Sequence, residues 1–215
     1  MADGITIWTY DWVPEGPRGF VRDLRLRWAC EEAGLSYAVR TVPFDARGPA
    51  HFARQPFGQV PFLDDGDLSL FESGAALLHL AAKSAALMPR DARARAEVTE
   101  WIIAALNSIE MVSVPWWVLK KSGEENETLG KWLEKRLTQL DAVLSKRAWL
   151  VAERFTAADI AMADVLRLPE IRDFGEHPAI ADYLDRALER PSFKKAHADQ
   201  LGHFERGDRH RAGIE

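Results

Sequence analysis

The sequence predicts an α/β plus all-α protein: a thioredoxin-like unit in β-α-β-α-β-β-α order over residues 1–84, then an all-helical domain over residues 91–215. Three observations predict it. Short runs rich in branched and aromatic residues, of the kind that pack on a pleated sheet, occur only in the first 84 residues. From Asp91 onward apolar residues recur at helical spacing and strand signals stop. Between the two parts, Ala85 to Arg90 reads as a linker.

Each element follows from local chemistry. Ile5 to Tyr10 is a strand, ended by the Pro/Gly segment Asp11–Pro17. Arg18 to Ala33 carries Phe20, Val21, Leu24 and Trp28 at helical spacing, with Gly34 as its stop. Tyr37 to Val42 is a second strand, closed by Pro43, and a short helix is expected near Pro49–Arg54. Val60–Asp64 and Leu68–Phe71 read as a hairpin through Asp65-Gly66. Glu72 to Lys83 is an Ala/Leu-rich helix. In the second part, Val98, Trp101, Ile102, Ala105 and Ile109 form one stripe, and Pro115 predicts a kink or end beyond it. Leu129, Trp132, Leu133, Leu137, Leu140 and Leu144 form the next stripe. In Phe155–Ile160, Thr156 and Asp159 have the spacing of a reciprocal capping box, with Phe155 and Ile160 as its hydrophobic staple. From Glu205 the polar tail is expected to fray.

Composition narrows the functions. The chain has 215 residues, 47% apolar and 28% charged, with a formal net charge of −5, which gives no electrostatic reason to expect nucleic acid or an acidic membrane surface as a partner. No apolar run in the sequence approaches the roughly 20 residues of a membrane helix. The start, MADGITIWTY, lacks the pattern of a secretory signal, and a cytoplasmic location is expected. The single cysteine, Cys30, excludes an intrachain disulfide and any zinc site built on several thiolates, and the six histidines show no metal-ligand spacing. No metal is expected.

Two segments carry functional information. One is Gln55-Pro56-Phe57-Gly58-Gln59-Val60-Pro61-Phe62-Leu63, followed by Asp67 to Ser73; the other is the box at Phe155–Asp159. Taken singly, Pro61 reads as a turn proline and Glu72-Ser73 as an ordinary helix start. With Arg190-Pro191-Ser192-Phe193 they resemble the cytosolic glutathione transferase family, over nearly the whole chain. The resemblance implies a cis bond at Val60-Pro61, whose backbone would bind the cysteinyl unit of glutathione as an added strand does. It implies that Ser73 and the helix amides take the γ-glutamyl carboxylate and Glu72 its α-ammonium, while Gln59 and Arg47 hold the glycyl end.

Conjugation needs a thiolate. A free thiol near 8.5 is only about 3% ionised at pH 7, and a two-unit shift requires about 2.7 kcal/mol. Relatives place a Tyr, Ser or Cys near the end of the first strand or the start of the first helix for this. Here the Ser/Cys position falls near Gly19-Phe20, which carry neither group, and a longer loop precedes it. Tyr10 is then the expected catalytic hydroxyl, with Trp12 and Arg18 as further groups able to steady the sulfur. Cys30, about three turns into its helix, is expected to be buried and inert, against a thiol-disulfide exchange role.

Met111, Trp116 and Trp117 fall where relatives line a hydrophobic substrate pocket, with Trp12 as a further candidate, although the helical spacing of the first three favours core packing. His51, His79 and His177 have no partner legible in the sequence, and His197, His203 and His210 are expected at the surface. Arg90, Arg93 and Arg95 read as a solvated face or part of a subunit contact, and the resemblance implies a homodimer. The expected reaction is addition of the glutathione thiolate, as cosubstrate, to an apolar electrophile. The alternatives are peroxide reduction, isomerisation or ether cleavage by the same thiolate, and a non-catalytic binding or scaffold protein of the same fold.

Overall fold

The computed structural model describes residues 4–124 and 126–213. They fall into two compact units. One runs to Ser84 and includes the chain from Pro191; the other is Ala85–Arg190.

The first unit holds β1 (Ile5–Tyr10), α1 (Asp23–Ala33), β2 (Tyr37–Val42), α2 (Pro49–Phe52), β3 (Phe62–Asp65), β4 (Leu68–Phe71) and α3 (Ser73–Ala82). The sheet order is β2-β1-β3-β4, with β1 parallel to β2 and antiparallel to β3, and β3 antiparallel to β4. The branched and aromatic β1 is buried along nearly its whole length, as a central strand with both faces covered must be. β2 and β4 are the more exposed edges. The hairpin register differs by one residue from expectation: Asp65 pairs with Leu68, so the turn is Gly66-Asp67. Gly66 has φ +61, the conformation that the first turn position of a type II′ hairpin requires.

Two expectations at the ends of this unit are corrected. The helix predicted from Arg18 begins at Asp23, because residues 18–22 run as turns around Gly19, whose φ is +79. The second concerns the tail. Helix α10 (Pro191–Arg211) does not fray from Glu205 and does not belong with the helical domain; it packs on α1 in the first unit. Together with α3 and β1, it leaves every residue of α1 from Asp23 to Cys30 buried, including three charged ones. Asp23 accepts from Arg27 Nε at 2.7 Å and from Gln200 Nε2 at 2.6 Å, so the buried charge is paired. Burial pushes the Cys30 thiol up to about 12.

The second unit contains α4 (Ala92–Ala104), a π-helical stretch (Ala105–Glu110), α5 (Met111–Lys121), α6 (Glu127–Leu144), α7 (Ala157–Leu166), α8 (Pro169–Arg172) and α9 (Pro178–Leu188). Of the kink or end expected at Pro115, the end does not occur. Residues 92–121 form one helical run despite the π-turn and the proline, both of which break the regular hydrogen-bond ladder. This run is long and apolar enough, by length and composition alone, to cross a membrane, which the sequence reading did not anticipate. Its buried residues, from Val98 and Ile102 to Val112 and Trp116, sit in a run that contacts α6 and α7, as in the core helix of a bundle. The capping box forms as expected: the Thr156 amide donates to Asp159 Oδ2 at 2.8 Å. All ten residues of α7 are buried behind it.

Candidate functional site

Strand register gathers the candidate residues at one end of the sheet. Phe62 pairs with Phe71 across β3–β4 and with Trp8 across β1–β3. Val60-Pro61, immediately before Phe62, therefore lies beside Glu72-Ser73, immediately after Phe71, and Tyr10 lies at the same end of β1. The Val60–Pro61 bond is cis. Because β3 starts only at Phe62, the backbone N–H and C=O of Val60 make no hydrogen bond among the described residues. They form an open strand edge on which an extended peptide can add.

Glu72 leads into α3 with φ +71 and ψ 118, a strained conformation for a residue with a side chain and one that clusters at binding sites. Its carboxylate is on the exposed side of the chain, while Ser73 is buried at the first turn of α3. The Ser73 hydroxyl accepts from Arg25 Nη1 at 3.1 Å, which leaves its own proton for an incoming acceptor. Arg25, 2% exposed, thus adds a buried positive charge to the carboxylate side of the cradle. Sequence reasoning missed it, since a charged residue between apolar positions of α1 looked like solvent-facing spacing. It also missed His51, which is buried with its Nε2 2.8 Å from the Gln59 carbonyl oxygen and so anchors the loop that delivers Val60. Gln59 itself is exposed.

The expected thiol-facing residues are arranged differently. The Tyr10 hydroxyl donates to the Gly58 carbonyl at 3.2 Å inside a cluster with Val13, Val42, Phe62 and Phe204. Burial raises its pKa, partly opposed by the Arg47 guanidinium, which lies 5.3 Å above the ring. Trp12 donates through Nε1 to Asp208 at 2.8 Å. Arg18 binds Asp208 through both Nη atoms and Val13 O through Nε and Nη2. Both residues are therefore held by α10. That carboxylate sits at about 2, chiefly because Arg18 and Trp12 hydrogen-bond its ionised form. The contact is tight: a Cβ at Gly207 would lie 2.5 Å from the Asp11 carbonyl oxygen. His203, expected at the surface, lies partly buried with Nε2 2.9 Å from the Tyr10 carbonyl oxygen, and burial lowers its pKa.

Of the apolar candidates in the second unit, Met111 is 56% exposed and Trp116 only 8%. Trp116 packs edge-to-face on Phe174 at 4.7 Å. No group of three or more His, Cys, Asp or Glu side chains able to hold a metal occurs among the described residues.

Comparison with known proteins accords with this geometry. The family model described as glutathione S-transferase, N-terminal domain, matches residues 16–82, and the C-terminal domain model matches residues 80–191. Glutathione S-transferase 1 of Zea mays is 32% identical over 193 residues, covering 81% of this chain and 90% of that protein. Glutathione S-transferase GstA of Escherichia coli O157:H7 is 30% identical over 179 residues, covering 77% and 87%. Among solved structures, a glutathione transferase family member from Pseudomonas fluorescens with two glutathione bound superposes with a TM-score of 0.77 at 25% identity, covering 91% of this chain and 92% of that one. With both domain models matched in order and the cis-proline edge in place, the chain belongs to the glutathione S-transferase family.

Proposed function

We propose that the chain binds glutathione in the cradle formed by Val60-Pro61, Glu72 and Ser73 and adds its thiolate to an apolar electrophile. The observation that carries the reading is the open Val60 backbone beside the Arg25-backed Ser73 hydroxyl, at the end of one sheet. The cysteinyl amide and carbonyl pair with Val60, the γ-glutamyl carboxylate takes the Ser73 proton and the first amides of α3, and the Glu72 carboxylate takes the ammonium. Arg47 and Gln59, both exposed on the approach to Val60, supply donors for the glycyl carboxylate. For Tyr10 to stabilise the thiolate, its bond to Gly58 is exchanged for one to sulfur. Met111, exposed on the second unit, is the apolar side chain offered to the electrophile in this reading. A homodimer accompanies the reading, supported by exposed Phe57 and Phe71, which meet edge-to-face at 6.4 Å on the first unit and would be covered in an assembly.

One observation favours a second reading, glutathione binding without thiolate activation. The Tyr10 hydroxyl, the Trp12 N–H and the Arg18 guanidinium are all bonded within the protein. Ultraviolet difference spectroscopy of bound glutathione separates the two. A thiolate band in the wild type that disappears in Tyr10→Phe supports transfer chemistry through Tyr10; tight binding with no band supports the binding protein. Absence of calorimetric heat with millimolar glutathione overturns both.

A further inference from the structure

A cleft of about 530 Å³ opens in the first unit between α1, the edge strand β2 and α10. Every residue lining it belongs to that unit. Its size is that of a small-molecule site. The lining combines the apolar side chains of Leu35, Val39 and Ala198 with two arginines, Arg27 from α1 and Arg206 from α10.

The acids of the cleft already have donors. Glu31 and Asp199 share the Lys195 ammonium, and Glu31 also accepts from the Tyr37 hydroxyl at 3.1 Å. The arginines keep donors to spare. Arg27 is 3% exposed and gives its Nε to Asp23 at 2.7 Å, but its Nη2 is buried without a hydrogen-bond partner among the described residues. A buried donor with nothing to bond is unfavourable, more so on a charged group. Arg206 is exposed and forms no ion pair among the described residues. Its Nη1 lies over Gly202, where a Cβ would stand 3.5 Å from it. His203, one turn before Arg206, also lines the cleft. Its Nε2 is 2.9 Å from the Tyr10 carbonyl oxygen, which can only accept, so Nε2 holds the ring proton. Burial lowers the His203 pKa, and the Arg27 and Arg206 charges lower it further, against the Tyr10 carbonyl and the Asp23 carboxylate. The two guanidinium groups thus act on one imidazole.

We propose that this cleft binds a phosphate monoester. Its three terminal oxygens form a tetrahedral array, enough for a guanidinium from each helix, whereas a planar carboxylate fits a single fork. Arg27 and Arg206 donate to those oxygens, and the ester group rests on Leu35, Val39 and Ala198. The site shares no residue with the glutathione cradle and does not rest on that reading.

The test uses the full chain and phenyl phosphate at constant ionic strength, followed through the His203 ring resonances assigned with His203→Gln. Saturable movement of those resonances is expected, with the His203 titration displaced to higher pH, because a bound dianion favours the protonated ring. Inorganic phosphate, which has no ring to bury, should bind about tenfold more weakly. Gly202→Leu puts a side chain into the cleft and should weaken phenyl phosphate about tenfold or more while keeping the helix, since leucine is the better helix former. Arg206→Gln, a surface change, should weaken it by about tenfold or more, the value of a bond to a charged group, and carries the test if the leucine variant misfolds. An unmoved His203, equal affinity for phenyl phosphate and inorganic phosphate, unchanged affinity in either folded variant, or displacement by glutathione would each overturn the proposal.

Discussion

Two regions of the first unit were both candidates for glutathione chemistry, and they have opposite fates. The cradle at Val60–Ser73 keeps its polar groups open: the Val60 backbone is unpaired, Glu72 is exposed, and Ser73 retains a proton to give. The loop from Tyr10 to Arg18 has its candidate groups occupied, by Gly58 in one case and by Asp208, some 190 residues away, in the others. The cradle arises where a strand begins one residue after a proline and a helix begins one residue after a strand, so its openness is a property of element ends. The loop is polar and long, and a long loop close to a helix finds partners there. A residue of the right chemical type at the right place is thus available for function only if nothing in the fold claims it first.

Asp159 is a third case that sharpens the comparison, because it is claimed locally and its effect is the largest expected. Burial pushes its carboxyl up to about 6, against the hydrogen bonds from Leu150, Thr156 and Tyr183 that favour the ionised form. A raised folded-state value means the folded chain holds the proton more tightly than the unfolded one. The associated stability is complete below about pH 4 and is lost as pH rises through about 6, a change of about 3 kcal/mol for a two-unit shift. Denaturant midpoints between pH 4 and 7 should show this fall, and Asp159→Asn should flatten it at a lower overall stability. Asp64 and Asp65 on β3 have the opposite sign. Burial alone would raise Asp64, but hydrogen bonds from Trp8, Arg54 and Ser69 lower it; Lys83 and then His79 lower Asp65. Their contribution is present above the ordinary carboxylate range and disappears as pH falls below it, so acid weakens the first unit where it strengthens the second.

At the cradle, Ser73→Ala should weaken glutathione binding about 10- to 100-fold by calorimetry, the value of a hydrogen bond to a charged group at roughly 1.5–3 kcal/mol. An unchanged affinity would place the ligand elsewhere and end the contrast. At the loop, Gly207→Val should cost about 2 kcal/mol, because the added side chain drives α10 off a rigid backbone carbonyl. Glutathione affinity should stay within about twofold if the loop is only structural; loss of binding would bring the loop back into the site. The smallest effect is at Arg18→Met. Its pair with Asp208 is exposed to solvent and screened, so only a small shift in denaturant midpoint is expected. Loss of the thiolate band of bound glutathione in this variant, with the fold intact, would show that Arg18 reaches the sulfur.

Much of the architecture was legible in the residues because it depends on short-range chemistry. β1, β2 and β4 follow from branched and aromatic runs broken by Pro and Gly, the Thr156–Asp159 box from reciprocal spacing, and the α6 stripe from its leucines. The cradle was legible only through the family resemblance that Val60-Pro61 and Glu72-Ser73 carry; the β3–β4 pairing is what sets the two segments side by side. What the residues could not show is where a long helix goes after a proline. The charged tail beyond Glu205 has little apolar surface and so carries no docking signal, yet its Asp208 and Arg211 find partners on the β1–α1 loop, as Gln200 and His203 just before it do on α1 and at the end of β1. The order of the elements along the chain and the Thr156–Asp159 cap were thus determined by the chain's own sequence, through interactions among near neighbours. The burial of α1, the capture of Trp12 and Arg18, and the backing of Ser73 by Arg25 were decided by tertiary structure alone, because each joins groups that only packing brings within hydrogen-bond reach.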